Sequence, residues 1–170
     1  IRAIPSLINV LKDTNQEPMV RHEAAEALGA IGDPQVIEIL KEYSSDPVVE
    51  VAETCQLAIE RIKWFQQNST TELSNNPYRS VDPAPPARIE SVQQLREVLL
   101  DENKTLFDRY RAMFALRNIK TKEAVEALGE GLGCSSALFR HEIAFVLGQL
   151  QDVNGIPFLK KSLENCGENE

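Results

Sequence analysis

The sequence predicts an all-α protein, an α-solenoid built as two half-solenoids of antiparallel helix pairs joined by a proline-rich linker. Three observations carry that prediction. Apolar residues recur at helical spacing through most of the chain, the mark of helices buried on one face. A second-helix pair of Ala or Val followed by Leu or Ile recurs four times, at Ala27-Leu28, Ala58-Ile59, Ala115-Leu116 and Val146-Leu147. The first two copies are 31 residues apart and so are the last two, and helix pairs of that period bury their faces only by stacking. Finally, four of the nine prolines fall between residues 67 and 88, separating the two doublets.

Taken in order, residues 2–12 place Ile4, Leu7, Ile8 and Leu11 on one helical face. A polar turn at 13–18 ends that helix. The next is expected from about Met19 to Ile31, with Gly32 as its stop. Asp33-Pro34 opens a third helix, with Asp33 as cap and Val36, Ile37 and Leu40 as its apolar stripe. Asp46-Pro47 repeats that start signal before a long helix to about Gln66, whose core face carries Val51, Cys55, Ala58, Ile59 and Ile62. Residues 67–88, with Asn75-Asn76-Pro77 and Asp82-Pro83-Ala84-Pro85-Pro86, read as an extended linker. Helical patterning resumes at 89–101, 106–119, 123–131, 137–150 and 153–163.

Composition narrows the function. With 26% charged and only 6% aromatic residues, the chain is that of a globular helical protein. A net charge of -8 argues against nucleic acid, which is bound by neutralising phosphates, and suits a cationic partner. No apolar run approaches the roughly 18 residues that cross a membrane. Cys55, Cys134 and Cys166 are odd in number and widely spaced, so neither a disulfide framework nor a CxxC zinc site is supported, and an intracellular, cytoplasmic setting is expected. The start at Ile1 and the polar end at 166–170 read as an internal piece of a longer chain.

Both histidines of the chain stand in the same frame, Arg21-His22-Glu23 and Arg140-His141-Glu142, five residues ahead of a Leu-Gly pair. The repeat supplies its own control: the counterparts of His22-Glu23 are Glu53-Thr54 in the second copy and Tyr110-Arg111 in the third, so the fold does not demand His-Glu there. At roughly 100° per residue, Val20, Ala24, Ala27, Leu28 and Ile31 form the expected core stripe. His22 then falls nearly opposite, Glu23 about a quarter-turn away, and Glu26 and Met19 lie between them. The second copy is expected to match, with Phe139, Ile143, Val146, Leu147 and Leu150 inward and His141 outward. On facing half-solenoids these pairs would point into one groove. Imidazole with carboxylate is the ligand set of non-haem iron, manganese or zinc. Neighbours on one helix do not face each other, so several helices must contribute. The spacing is not HExxH, and there is no P-loop, GxGxxG or GxSxG.

The Ala-Leu-Gly-x-Ile signature places the solenoid with the HEAT-repeat class. The blocks Pro18-Met19-Val20-Arg21-His22-Glu23-Ala24, Glu50-Val51-Ala52, Thr54-Cys55-Gln56-Leu57-Ala58, Ser80-Val81-Asp82-Pro83-Ala84-Pro85-Pro86, Arg109-Tyr110-Arg111-Ala112-Met113-Phe114 and Leu138-Phe139-Arg140-His141-Glu142 resemble the deoxyhypusine hydroxylase family. The resemblance spans essentially the whole chain. It implies a HEAT-repeat di-iron monooxygenase with four His-Glu pairs, of which this chain carries the second and third. Residues 1–66 would then be the C-terminal part of the first half and 89–170 the N-terminal part of the second. The substrate implied is the deoxyhypusine side chain of the hypusine-containing translation initiation factor, with O2 as oxidant, iron as metal and a monomeric enzyme. His22 and Glu23 would bind one iron and His141 the other. Glu142 would bind that second iron or receive the substrate amine, Glu26 would pair with the polyamine-like cation, and Met19 would shield the iron. With two pairs only, the piece alone is expected to be inactive. The rival classes are a HEAT-type peptide-binding scaffold with incidental His-Glu pairs and a bilin-lyase-like enzyme without iron.

Overall fold

A computed structural model describes residues 2–68, 76–78 and 80–167. The described residues contain nine α-helices and no strand: α1 (Ile4–Lys12), α2 (Pro18–Ile31), α3 (Ile37–Tyr43), α4 (Val49–Gln67), α5 (Val92–Leu100), α6 (Leu106–Ile119), α7 (Lys122–Glu130), α8 (Ala137–Leu150) and α9 (Ile156–Leu163). Single 3₁₀ turns at Pro34–Val36, Gly131–Gly133 and Val153–Gly155 join some of them. The chain forms two compact units, α1–α4 with Val81–Pro83, and α5–α9 with Ala84 onward. The expected helices are therefore present, with α5 starting at Val92 rather than Ile89 because Ser91 caps it, accepting from the Gln94 amide. Residues 69–75 and 79 of the expected linker lie outside the described residues.

The first unit is two helix pairs stacked side by side. α2 lies between its own partner α1 and the next second helix, α4, while α3 packs on α4. Its core is fully buried Leu11, Ala25, Leu28, Leu40, Val51 and Cys55. The α2–α4 approach is very close. A Cβ built on Gly29 would lie 2.7 Å from the Ala58 Cβ and 3.0 Å from its Cα, inside contact distance. Glycine is there for space, not for backbone freedom.

The second unit repeats the arrangement with heavier residues. α6 packs against α5, α7 and α8 and buries Tyr110, Phe114 and Leu116, with Tyr110 set against Phe139 of α8. The Tyr110 and Phe139 rings sit 5.1 Å apart in a tilted pair. Thr105, Thr121 and Ser136 cap α6, α7 and α8 through hydroxyls that accept from amides in the first turn.

Second helices in three copies end the same way, on one left-handed residue at equivalent register: Gly32 (φ 74), Lys120 (φ 60) and Gln151 (φ 52). Only the first is the glycine that signals such a stop. In all three the cap amide donates to a carbonyl four residues back, and in the last two an exposed non-glycine residue takes this strained conformation.

The two helix glycines of the His-Glu copies should respond oppositely to substitution. Gly29→Ala is expected to cost about 1–3 kcal/mol through overpacking against Ala58. Gly148, around which nothing lies within 4 Å, should gain up to about 1 kcal/mol as Gly148→Ala through helix propensity. Urea denaturation of both variants reads the difference.

Candidate metal centre

The site begins with the way α2 is held. Pro18 occupies its first turn, where a missing amide hydrogen costs nothing. Arg21 then turns back: its Nε donates to the Leu11 carbonyl at the end of α1 (3.0 Å), and its guanidinium grips the Asp46 carboxylate with both terminal nitrogens. The two side chains are only 4% and 5% exposed. Arg109 repeats the first contact in the second unit, Nε to the Leu99 carbonyl at 2.9 Å. Arg21 is thus a tie between helices, as Arg109 is at the same register. Arg140 of the second Arg-His-Glu donates to the Cys134 and Ser135 carbonyls just ahead of α8.

His22 is where the sequence reading needs correction. The helical wheel put it opposite the core, but the side chain is buried, with the residue only 5% exposed. Val20 and Ile31, expected inward, are 43% and 40% exposed. The wheel weighted large apolar residues. The real buried arc, Arg21, His22, Ala24, Ala25, Leu28 and Gly29, is rotated toward the small residues that let α4 come close. A helix flanked on two sides buries more than one stripe, and part of that arc is polar.

Inside it, Nδ1 of His22 lies 2.6 Å from the Thr54 hydroxyl, and that hydroxyl donates to the Glu50 carbonyl at 2.7 Å. On the other ring edge, Nε2 is 3.9 Å from Oε1 of Glu23 and 3.8 Å from Oε2 of Glu26. The Glu23 side chain is well exposed and that of Glu26 half-buried. Burial, then the neighbouring Glu23 charge, push the Glu26 pKa above its ordinary value, while Arg61 opposes them. Arg61, from α4, also donates to the Gly29 carbonyl at 2.7 Å and to the Asp82 carbonyl at 3.0 Å. It thereby supplies the cation that the last turn of α2 lacks.

The second pair differs. His141 is exposed, as the wheel expected, Glu142 is half-buried, and Phe145 on the same helix is 55% exposed. Among the described residues, no helix stands to α8 as α4 stands to α2. Met19 is about half exposed at the start of α2, while His22 is covered. Sequence reasoning missed Thr54, noticed only as a repeat counterpart, and Asp46, read only as a helix start. Among the described residues, no group of three His, Cys, Asp or Glu is close enough to hold a metal by itself.

Comparison with known proteins places this architecture. Residues 2–60 match the HEAT repeats family, and residues 108–134 and 139–165 match the PBS lyase HEAT-like repeat. The chain is 65% identical over 168 residues to deoxyhypusine hydroxylase of Homo sapiens, 99% of this chain and 55% of the relative. It is 64% identical over 170 residues to that of Danio rerio (98% and 56%), and 61% identical over 170 residues to that of Drosophila melanogaster (99% and 56%). A solved structure described as human deoxyhypusine hydroxylase in complex with glycerol superposes with a TM-score of 0.94 at 65% identity, covering 99% of this chain and 58% of that one.

The chain belongs to the deoxyhypusine hydroxylase family. It spans about half the length of the curated relatives it matches.

Membership in the deoxyhypusine hydroxylase family implies iron, and the His22 surroundings can be tested against it. A first-row metal bonds nitrogen and oxygen donors at about 2.0–2.2 Å, so two of its ligands lie about 3–4 Å apart. The separations of Nε2 from the Glu23 and Glu26 oxygens fall in that range, and imidazole with carboxylate suits iron. The donor types and these two distances fit; the number of donors in this cluster is too small for a closed site.

Two tests follow from the buried groups. His22→Ala should cost about 1–3 kcal/mol in the metal-free protein, from a lost hydrogen bond and a cavity, whereas His141→Ala should stay within about 0.5 kcal/mol. Thermal melts of both variants measure this. The Asp46 carboxyl is held below its ordinary value of 3.8, first by the Arg21 hydrogen bond. Its stabilisation is therefore fully present above 3.8 and lost as pH falls through the lower folded value. Asp46→Ala should cost about 3–5 kcal/mol at neutral pH by stranding Arg21, and should flatten stability against pH below about 4.

Proposed function

We propose that this chain carries part of the catalytic apparatus of an iron-dependent monooxygenase. The enzyme would hydroxylate the deoxyhypusine side chain of the hypusine-containing translation initiation factor, a reaction of the cytoplasm. The observation that supports it most is the 65% identity to a deoxyhypusine hydroxylase across 99% of the chain. Support comes too from a histidine buried with its Nε2 edge turned to two carboxylates, the donor types of a non-haem iron site.

His22 and Glu23 would hold one iron, and His141 the other. Residues 1–66 would belong to the first half of the enzyme, 67–88 to the linker and 89–170 to the second half. Iron, when bound, supplies the activation of O2 needed to place oxygen on an unactivated C–H bond. The protein supplies position and charge. Glu142 would bind metal or receive the substrate amine. Glu26, ionised, would meet a second ammonium group of the substrate side chain through a charge-assisted hydrogen bond. The net charge of -8 favours approach of that cation.

An anaerobic Fe(II) titration followed by O2 tests the reading, in this chain and in a chain extended to the relatives' length. In the extended chain, iron binding and an oxygen-dependent visible band are expected, both lost in a His22→Ala/His141→Ala double variant; this chain alone is expected to bind less. Iron bound equally well by the double variant, or ignored by the extended wild type, would hand the function to the peptide-binding scaffold.

A further inference from the structure

The Thr54 hydroxyl meets two polar atoms and has one hydrogen. The Glu50 carbonyl, one turn earlier on α4 and 2.7 Å away, brings none, so the hydroxyl hydrogen lies in that contact. Toward His22, at 2.6 Å, the same oxygen can only accept, and Nδ1 must carry a hydrogen. In a neutral imidazole the lone pair then sits on Nε2, the nitrogen 3.9 Å from Glu23 Oε1 and 3.8 Å from Glu26 Oε2. A lone pair facing two carboxylate oxygens is electrostatically unfavourable until a cation comes between them.

We propose that Thr54 is a positioning residue of the metal centre: it locks His22 in the Nδ1–H tautomer and so makes Nε2 the nitrogen offered to a divalent metal. The inference rests on the iron reading given above. The lock is rigid, because Thr54 is 3% exposed, its β-branched side chain has little rotamer freedom, and its hydroxyl is tied to its own helix. It also comes from the adjacent repeat. Thr54 stands on α4, one position beyond the counterpart of His22, so the stacking of α4 on α2 completes a ligand that α2 alone would leave free to rotate. Donation of the second ring N–H to a fixed acceptor is how proteins orient a metal-binding histidine and raise its basicity.

The test separates this role from simple packing and from the iron reading. Imidazole ¹⁵N–¹H correlation spectra of the metal-free chain should show His22 as Nδ1–H in the wild type and in Thr54→Ser. The isosteric Thr54→Val should lose that single form. Fe(II) titration of the chain extended to the relatives' length should show affinity ten- to a hundredfold lower for Thr54→Val and nearly unchanged for Thr54→Ser. An Nε2–H signal in the wild type would overturn the proposal, and so would wild-type iron affinity in a folded Thr54→Val. If the wild type shows Nδ1–H yet binds no Fe(II), the hydroxylase reading fails. Thr54 would then set the tautomer of a structural histidine, which overturns its role toward metal.

Discussion

The approach of α2 to α4 is the constraint on which the rest of the first unit depends. It is possible only because Gly29 has no side chain and Ala58 has almost none. Bringing two backbones that close puts the polar flank of α2 under cover as well, and a covered flank must satisfy its own hydrogen bonds. Arg21, His22 and Thr54 are the consequence. Each is at most 5% exposed, and each has its partner on another helix or on the turn before α4. A histidine that would be mobile on a free helix is thereby fixed to within a rotamer.

The two units solve one problem with different means. Arg21 and Arg109 stand at the same place in their repeats and tie back to the preceding helix through the same Nε contact. Twenty-five residues beyond Arg21 stands Asp46, a carboxylate that neutralises it. At the same register beyond Arg109 stands Cys134, a buried thiol whose pKa is raised, first by desolvation, with Arg109 opposing. There Nη2 of Arg109 finds no hydrogen-bond partner among the described residues, and the guanidinium rests over the Phe139 ring, 4.6 Å from its centre. The second unit thus trades a buried ion pair for aromatic packing. Cys55, beside the ion pair of the first unit, is pushed up to about 12 by burial, so it stays a neutral thiol packed in the core.

Repeat architecture also explains why the two His-Glu pairs look so unlike. They share Arg-His-Glu and the helix register, but α2 has a second helix on its far side and α8 has none among the described residues. What surrounds Gly29 and Gly148 measures the difference directly: contact with Ala58 in one case, nothing within 4 Å in the other. The environment of a side chain on a solenoid is set by the repeat next door as much as by its own.

The sequence by itself determined the helices, their pairing and the 31-residue repeat, because these follow from local periodicity, capping and chain-breaking residues. The start signal at Asp33 and the stop at Gly32 are intrinsic backbone preferences. It also singled out His22, Glu23, His141 and Glu142 as residues whose presence folding does not explain. Which flank of α2 is buried was decided only by tertiary structure. The helical wheel followed apolar bulk to Val20 and Ile31, whereas packing followed the space left by Ala25 and Gly29. For the same reason neither Thr54 nor Asp46 announced its role, since a partner brought in from the adjacent repeat leaves no mark in the local pattern. The stops at Lys120 and Gln151 were likewise hidden, because neither residue is the glycine that marks a left-handed stop.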